Sequence, residues 1–311
     1  MSLRVVEICA GGGGQALGLE QAGWEHVAVT DNDPDACATL RHNRPDWKVI
    51  EGDIRQLDGR QFAGADLLAG GVPCPPFSVA SQQLGADDER NLFPQAIRLV
   101  GEIMPRAVLL ENVRGLAEPK FSSYVQWISD ELWKLGYAPS WKLINAYWYG
   151  VPQLRPRYVM IAFYRSAMID FHWKFDYQPS TTAGLAIYDL MKARGWPGAA
   201  TWALERCNKI APTIVGGSKK HGGPDLGPTR ARAQWKALGV EGISLANEAP
   251  GPDEPMDYTP RLTIPMVARL QGFPDGWEFM GNKTARYRQV GNAFPPPVAR
   301  GLGFAIAEAL R

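Results

Sequence analysis

From residue 3 to about residue 164 the chain alternates short apolar runs with stretches in which apolar residues recur every three or four positions. Runs of the first kind read as buried strands and those of the second as amphipathic helices, so the pattern predicts a parallel sheet flanked by helices. Strands are expected at Arg4–Cys9, His26–Thr30, Lys48–Ile50, Asp66–Ala69, Ala107–Glu111, Trp141–Asn145 and Arg157–Phe163. Helices fit between them at Gln15–Ala22, Pro34–Asn43, Leu92–Met104 and Phe121–Leu135, and no internal repeat is present. After Tyr164 the pattern gives way to a stretch rich in Trp, Gly and Pro that lasts to about Tyr258 and reads as a small domain with long loops. Val298–Leu310 is again helical in spacing and is expected to pack back on the first domain. The resulting division is a large domain of residues 1–164 plus 282–311 and a smaller one of residues 165–281.

Composition supports that size. With 311 residues, 45% of them hydrophobic and 21% charged, the chain can bury one large core and a second, smaller one. Leu67–Ala86 is uncharged and long enough to cross a bilayer, but Pro73, Pro75, Pro76, Gln82 and Gln83 break it. The start runs directly into a strand without the apolar core of a signal peptide, so a cytoplasmic protein with no membrane contact is expected. Cys9, Cys37, Cys74 and Cys207 are scattered, with no Cys-x-x-Cys pair, which indicates neither a disulfide framework nor a metal site. The net charge of +1 argues against a nucleic-acid partner until its distribution is considered. Arg206, Lys209, Lys219, Lys220, Arg230, Arg232 and Lys236 lie between Thr201 and Leu238 against Glu205 and Asp225, either a solvated surface or a basic face for a polyanion.

The first strand runs into Ala10-Gly11-Gly12-Gly13-Gly14, and Asp31 follows at the end of the second strand. Glycines there let a ligand approach the backbone, and a carboxylate at that place can hold two ribose hydroxyls. The arrangement suits nucleotide-type cofactors and does not by itself separate NAD from S-adenosylmethionine. Gly70-Gly71-Val72-Pro73-Cys74-Pro75-Pro76-Phe77-Ser78 follows the fourth strand, so Cys74 stands at the carboxyl edge of the sheet on a loop stiffened by prolines. Glu111 closes the fifth strand at the same edge, where partial burial would let it donate a proton near neutral pH, or where it could cap the next segment. Gln153-Leu154-Arg155-Pro156-Arg157 places two guanidinium groups before the last strand, suited to forked contacts with oxygen acceptors or to surface ion pairs.

The series Ala10-Gly11-x-Gly13-Gly14, Asp31, Gly52-Asp53-Ile54, Pro73-Cys74, Glu111-Asn112-Val113, Gln153-x-Arg155-x-Arg157 and Gln289-Val290-Gly291-Asn292-Ala293 resembles, in order and spacing, the motifs of the DNA cytosine-5 methyltransferase family. The resemblance covers residues 3–164 and about 260–311. It implies an α/β, Rossmann-like S-adenosylmethionine-dependent methyltransferase domain with a smaller, irregular target-recognition domain between its parts. S-adenosyl-L-methionine would be the cofactor, held by Cys9, Gly11, Gly13, Gly14, Asp31, Asn32, Asp53, Ile54, Pro73, Leu92, Asn292 and Ala293. The chain departs from the family at Cys9, where Phe is usual, and at Asn32, where a bulky residue is usual.

By the same resemblance, Cys74 would attack carbon 6 of the target cytosine and Glu111 would bond its amine and ring nitrogen. Arg155 would grip the base oxygen, and Arg157 would hold Glu111 or a phosphate. Because carbon 6 is stacked inside a duplex, the nucleotide must flip out, and the segment from Phe77 to Asn91 would close over it with Ser78 on a phosphate. Gln153, Thr213 in a Pro-Thr-aliphatic signature, Lys219, Lys220, Arg230 and Arg232 would face the DNA. The partner implied is double-stranded DNA, with a cognate restriction endonuclease acting separately and the methyltransferase a monomer. Two other readings stand beside this one: an RNA cytosine-5 methyltransferase with the same chemistry, and an NAD-binding oxidoreductase that would leave Cys74, Glu111 and the arginines without a joint purpose.

Overall fold

The structure, a computed structural model, describes residues 2–73, 91–165, 171–173, 181–217 and 223–311. They divide into two compact units: residues 1–144, 156–174 and 299–311 form the first, and residues 145–155 and 175–298 the second. The expected large domain thus gives residues 145–155 and 282–298 to the second unit.

The first unit is built on a seven-stranded sheet: β1 (Leu3–Ile8), β2 (Trp24–Asp31), β3 (Val49–Glu51), β4 (Leu67–Gly71), β5 (Ala107–Val113), β6 (Tyr137–Asn145) and β7 (Pro156–Tyr164), in the order β3-β2-β1-β4-β5-β7-β6. Helices α1 (Gly14–Gln21), α2 (Pro34–Asn43), α3 (Phe93–Ile103) and α4 (Ser122–Lys134) lie in the stretches the periodicity marks. Local chemistry sets their ends. Asp33 caps α2 by accepting from the Asp35 amide at 3.1 Å, and Pro34 opens the helix with its φ already set. In α3, Phe93, Ala96, Ile97, Val100 and Ile103 recur on one face and are buried, and the helix ends at Met104 in a left-handed conformation before Pro105.

The sheet departs from the expected parallel arrangement at β7, which runs antiparallel to β5 with Glu111 opposite Val159 and Val113 opposite Arg157. β7 follows β6 after residues 146–155, too short for the crossover that parallel neighbours require, so the strand returns against the others. The consequence is local and chemical. The start of β7 meets the end of β5, bringing Arg157 to the edge where Glu111 stands. β1 pairs with β2 on one side and β4 on the other, so the loops after β1 and β4 leave at the point where the strand order reverses, the ligand-binding crevice of open α/β sheets.

The second unit carries more helix than its irregular sequence suggests: α5 (Ala183–Ala186), α6 (Tyr188–Lys192), α7 (Ala199–Thr201, continuing as a wider π turn over Trp202–Arg206), α8 (Thr229–Ala237), α9 (Ile264–Leu270) and α10 (Lys283–Asn292). Several are very short, α5, α6 and α7 having four, five and three residues, which is why periodicity alone does not find them. α11 (Pro296–Ala309) begins in the second unit and ends in the first, where the Trp24 indole donates to the Gly303 carbonyl at 3.1 Å.

Candidate active site

The loop after β1 turns through three left-handed positions, Cys9 (φ 53°), Gly11 (φ 54°) and Gly13 (φ 83°). A Cβ at Gly11 would meet nothing within 4 Å, so its backbone faces open space as well as an unusual conformation. Asp31 secures the loop from the end of β2, accepting from the Gly11 amide at 2.7 Å and from the Asp33 amide at 2.8 Å. Burial pushes its pKa up, partly offset by those amides. Beyond β3, Thr30, Ile50, Gly52, Asp53, Ile54 and Leu57 line a pocket. Asp53 caps the turn that follows, accepting from the Arg55 amide at 2.9 Å and pairing with its guanidinium at 2.7 Å, contacts that hold its carboxyl below the ordinary value. Asn32 is exposed, whereas Ile54 is buried.

Where β4 ends, Val72 is held by the Asn112 side chain, which donates to its carbonyl at 2.8 Å. The chain leaves at Pro73 and returns at Asn91 and Leu92, the Leu92 amide donating to the Pro73 carbonyl at 3.5 Å. Asn91 is buried and accepts from the Tyr124 hydroxyl at 2.7 Å. Cys74, Ser78 and the expected closing segment up to residue 90 lie outside the described residues. The other three cysteines are not poised as nucleophiles. Burial pushes the Cys37 thiol up to about 11 and Cys207 up to about 12, and burial together with the Asp31 carboxylate pushes Cys9 up strongly.

Glu111 and Arg157 form a buried pair across β5 and β7, with Nε 3.5 Å from Oε2 and both side chains about a tenth exposed. Burial lowers the affinity of Arg157 for its proton, and the Glu111 charge works the other way. Gly71 flanks the acid: a Cβ there would lie 2.9 Å from Glu111 Oε1.

Arg155 has a different environment from its neighbour. Fully buried in the second unit, it donates to the carbonyls of Ile214 (2.7 Å), Gly291 (2.6 Å) and Ala293 (2.9 Å). Gln153 is equally buried, with its amide donating to Gln271 Oε1 at 2.7 Å and accepting from the Ile214 amide at 2.9 Å. These two side chains therefore spend their polar groups inside the unit, and no part of Gln153 reaches the surface where DNA contact was expected. Thr213 donates to the Leu154 carbonyl at 2.6 Å beside them. Asn292, exposed at the end of α10, donates to the Gly217 carbonyl at 3.1 Å.

The family model for C-5 cytosine-specific DNA methylases matches residues 3–308. The chain belongs to this family. It is similar to the type II methyltransferase M.NaeI of Lentzea aerocolonigenes, 52% identical over 99% of this chain and 76% of the relative. It is also similar to the type II methyltransferase M.NgoMIV of Neisseria gonorrhoeae, 49% identical over 100% of this chain and 99% of the relative. Among solved structures, the methyltransferase EhMeth of Entamoeba histolytica matches with a TM-score of 0.71 at 15% identity, over 100% of this chain and 99% of that one. The Dnmt2 methyltransferase of S. pombe matches with a TM-score of 0.67 at 19% identity, over 99% of each. These likenesses show a shared Rossmann-like methyltransferase fold.

In this DNA methylase, the remaining candidates divide by exposure. Arg230 is exposed and Arg232 half-buried on α8, while Lys219 and Lys220 lie outside the described residues. Arg206, part of the basic excess, is a brace instead, donating to the Asp257 and Tyr258 carbonyls at 3.0 and 2.8 Å. Sequence reasoning passed over Gly71 and the anchoring role of Asn112. The Gly70-Gly71 doublet at a strand end was the available signal for a close approach.

Proposed function

We propose that this methylase transfers a methyl group from S-adenosylmethionine to carbon 5 of a cytosine flipped out of duplex DNA, through a covalent bond between Cys74 and carbon 6. The observation that carries this reading is the buried Glu111–Arg157 pair at the end of β5, one strand over from the β4 terminus that leads into Pro73-Cys74. Thiolate addition makes the ring an enamine nucleophilic at carbon 5. Glu111 bonds the exocyclic amine and ring nitrogen as that charge develops. Arg157, beside Glu111, orients the acid and in our reading takes the base oxygen as well; Arg155, occupied by three carbonyls, keeps the second unit in shape. Once carbon 5 is methylated, loss of its proton expels the sulfur and restores Cys74.

The residues after β1, β2 and β3 suit the methyl donor. Asp31 has acceptor capacity beyond its two amides, Gly11 faces open space, and Asp53 and Ile54 border a pocket that Ile50 and Leu57 also line. When bound there, S-adenosylmethionine supplies an electrophilic methyl group. Cys9, Asn32, Gly13, Gly14, Pro73 and Leu92 complete that site in our reading, with Asn292 and Ala293 at the methionine end. Recognition of the DNA sequence falls to the second unit, with Ser78, Thr213, Lys219, Lys220, Arg230 and Arg232 at the duplex. The relatives named as type II methyltransferases support a place in a restriction-modification system. In our reading a cognate endonuclease acts separately, and the methylase is monomeric and cytoplasmic.

Duplex DNA carrying 5-fluorocytosine at the target, incubated with S-adenosylmethionine, should trap a denaturation-resistant adduct that Cys74→Ala abolishes. Adducts formed with RNA alone, or surviving in the Cys74 variant, would refute the reading.

A further inference from the structure

One wall of the pocket beyond β3 is a single short turn, Ile54–Gln56, which continues into Leu57. A turn of three residues has few and poorly aligned hydrogen bonds of its own, so its shape depends on what braces it. Asp53 and Arg55 brace it locally. The other brace comes from α3, some forty positions further along the chain. The Arg98 guanidinium donates through Nη2 to the Ile54 carbonyl at 2.8 Å and through Nη1 to the Leu57 carbonyl at 3.1 Å. One planar group therefore ties the first residue of the wall to the last.

The guanidinium is itself held. Gln95, Arg98 and Glu102 stand three and four positions apart on α3 and so share a stripe of its surface. Gln95 Oε1 accepts from Arg98 Nε at 2.8 Å and Glu102 Oε1 accepts from Nη1 at 2.6 Å, which fixes the plane of the group. Glu102 Oε2 accepts from the Gly59 amide at 2.7 Å, pinning the chain just beyond the wall, and a Cβ on Gly59 would lie 2.9 Å from Glu102 Cβ. As an ion pair Arg98–Glu102 adds little, since its side chains are a third and a quarter exposed. Its effect lies in where it puts the donors. The helix behind them is a firm base: Ala96, Leu99, Val100 and Ile103 are fully buried, and Asn91 holds its start by accepting from the Phe93 amide at 3.2 Å.

We infer that Arg98 is a positioning residue for the S-adenosylmethionine site, holding the Ile54–Leu57 wall in place from α3. Arg98 does not touch the cofactor. It acts through two backbone carbonyls, so its loss loosens cofactor binding and leaves DNA binding as it was. The inference rests on the cofactor assignment made above, and the test separates the two.

The quantities to measure are the affinity of the full chain for S-adenosylhomocysteine by calorimetry, its affinity for a long duplex of mixed sequence by anisotropy, and its urea midpoint. Arg98→Met keeps the length of the side chain and removes its donors. It should raise the dissociation constant for S-adenosylhomocysteine on the order of tenfold, with duplex affinity unchanged. Arg98→Lys, able to reach one carbonyl at a time, should recover part of the loss, and it decides the matter by the same comparison if Arg98→Met does not fold. Arg44→Met controls for stability alone. Arg44 is likewise about a third exposed and grips Glu20 at 2.7 and 2.8 Å, but from the end of α2 remote from Asp31. It should lower the urea midpoint with cofactor affinity held. Wild-type cofactor affinity in the Arg98 variants overturns the inference, as does an equal loss of cofactor affinity in Arg44→Met or a parallel fall in duplex affinity. Failure of the wild-type chain to bind S-adenosylhomocysteine would instead overturn the cofactor assignment.

Discussion

Gly71 shows how little freedom the acid at the end of β5 has. Its missing side chain is what leaves Glu111 Oε1 where it is, since a Cβ would sit 2.9 Å away. Gly71→Ala should therefore push the carboxyl group aside and lower the single-turnover methylation rate about 100-fold, as misplacement of a reacting group by an ångström does. Cofactor affinity, measured separately, should hold. An unchanged rate would mean that Glu111 can give way without cost. Glu111 was legible in the sequence because it closes an apolar strand inside a Glu-Asn-Val triplet. The duty of Arg155 was not legible. Its partners are carbonyls at residues 214, 291 and 293, and backbone groups leave no mark on the residue types that carry them.

At the scale of elements, the reversal of β7 separates two arginines that look interchangeable in sequence. Pro156 stands between them: Arg157 starts a strand against β5, while Arg155 ends a segment of the second unit braced by Gln153 and α10. Arg155→Met should strand buried carbonyls and cost about 3 kcal/mol or more in urea unfolding. Arg157→Met should slow methylation with a smaller loss of stability. Equal stability losses in the two would remove the distinction. The strands and long helices of the first unit were legible because each has a buried face with a regular period. The direction of β7 was less so, since an apolar run reads the same both ways, and only the short connection from β6 disclosed it. Several helices of the second unit escaped notice because they are too short for a period to show, α5, α6 and α7 having four, five and three residues.

For the whole molecule, a net charge of +1 gives no general attraction to DNA, so affinity has to come from local clusters. Replacing Lys219 and Lys220 together by Ala should weaken binding to all duplexes alike and reduce the slope of log affinity against log salt by about 2. A loss confined to one sequence would make them readers of bases. Composition could not reveal that Arg206 is withdrawn from that task by its internal carbonyl partners. The first unit takes its last helical stretch from residues 299–311, and the Trp24 indole finds its acceptor in Gly303, 279 positions further on. The second unit, in turn, opens at residue 145 and runs to residue 298. A ribosome moving along the message therefore releases neither unit in finished form before residues 299–311 have been made. The sheet must wait, with the α11 face of Leu19, Ala22 and Trp24 uncovered, until those residues emerge. A stop near residue 298 would leave the first unit, begun about 300 residues earlier, without the helix that covers Leu19, Ala22 and Trp24.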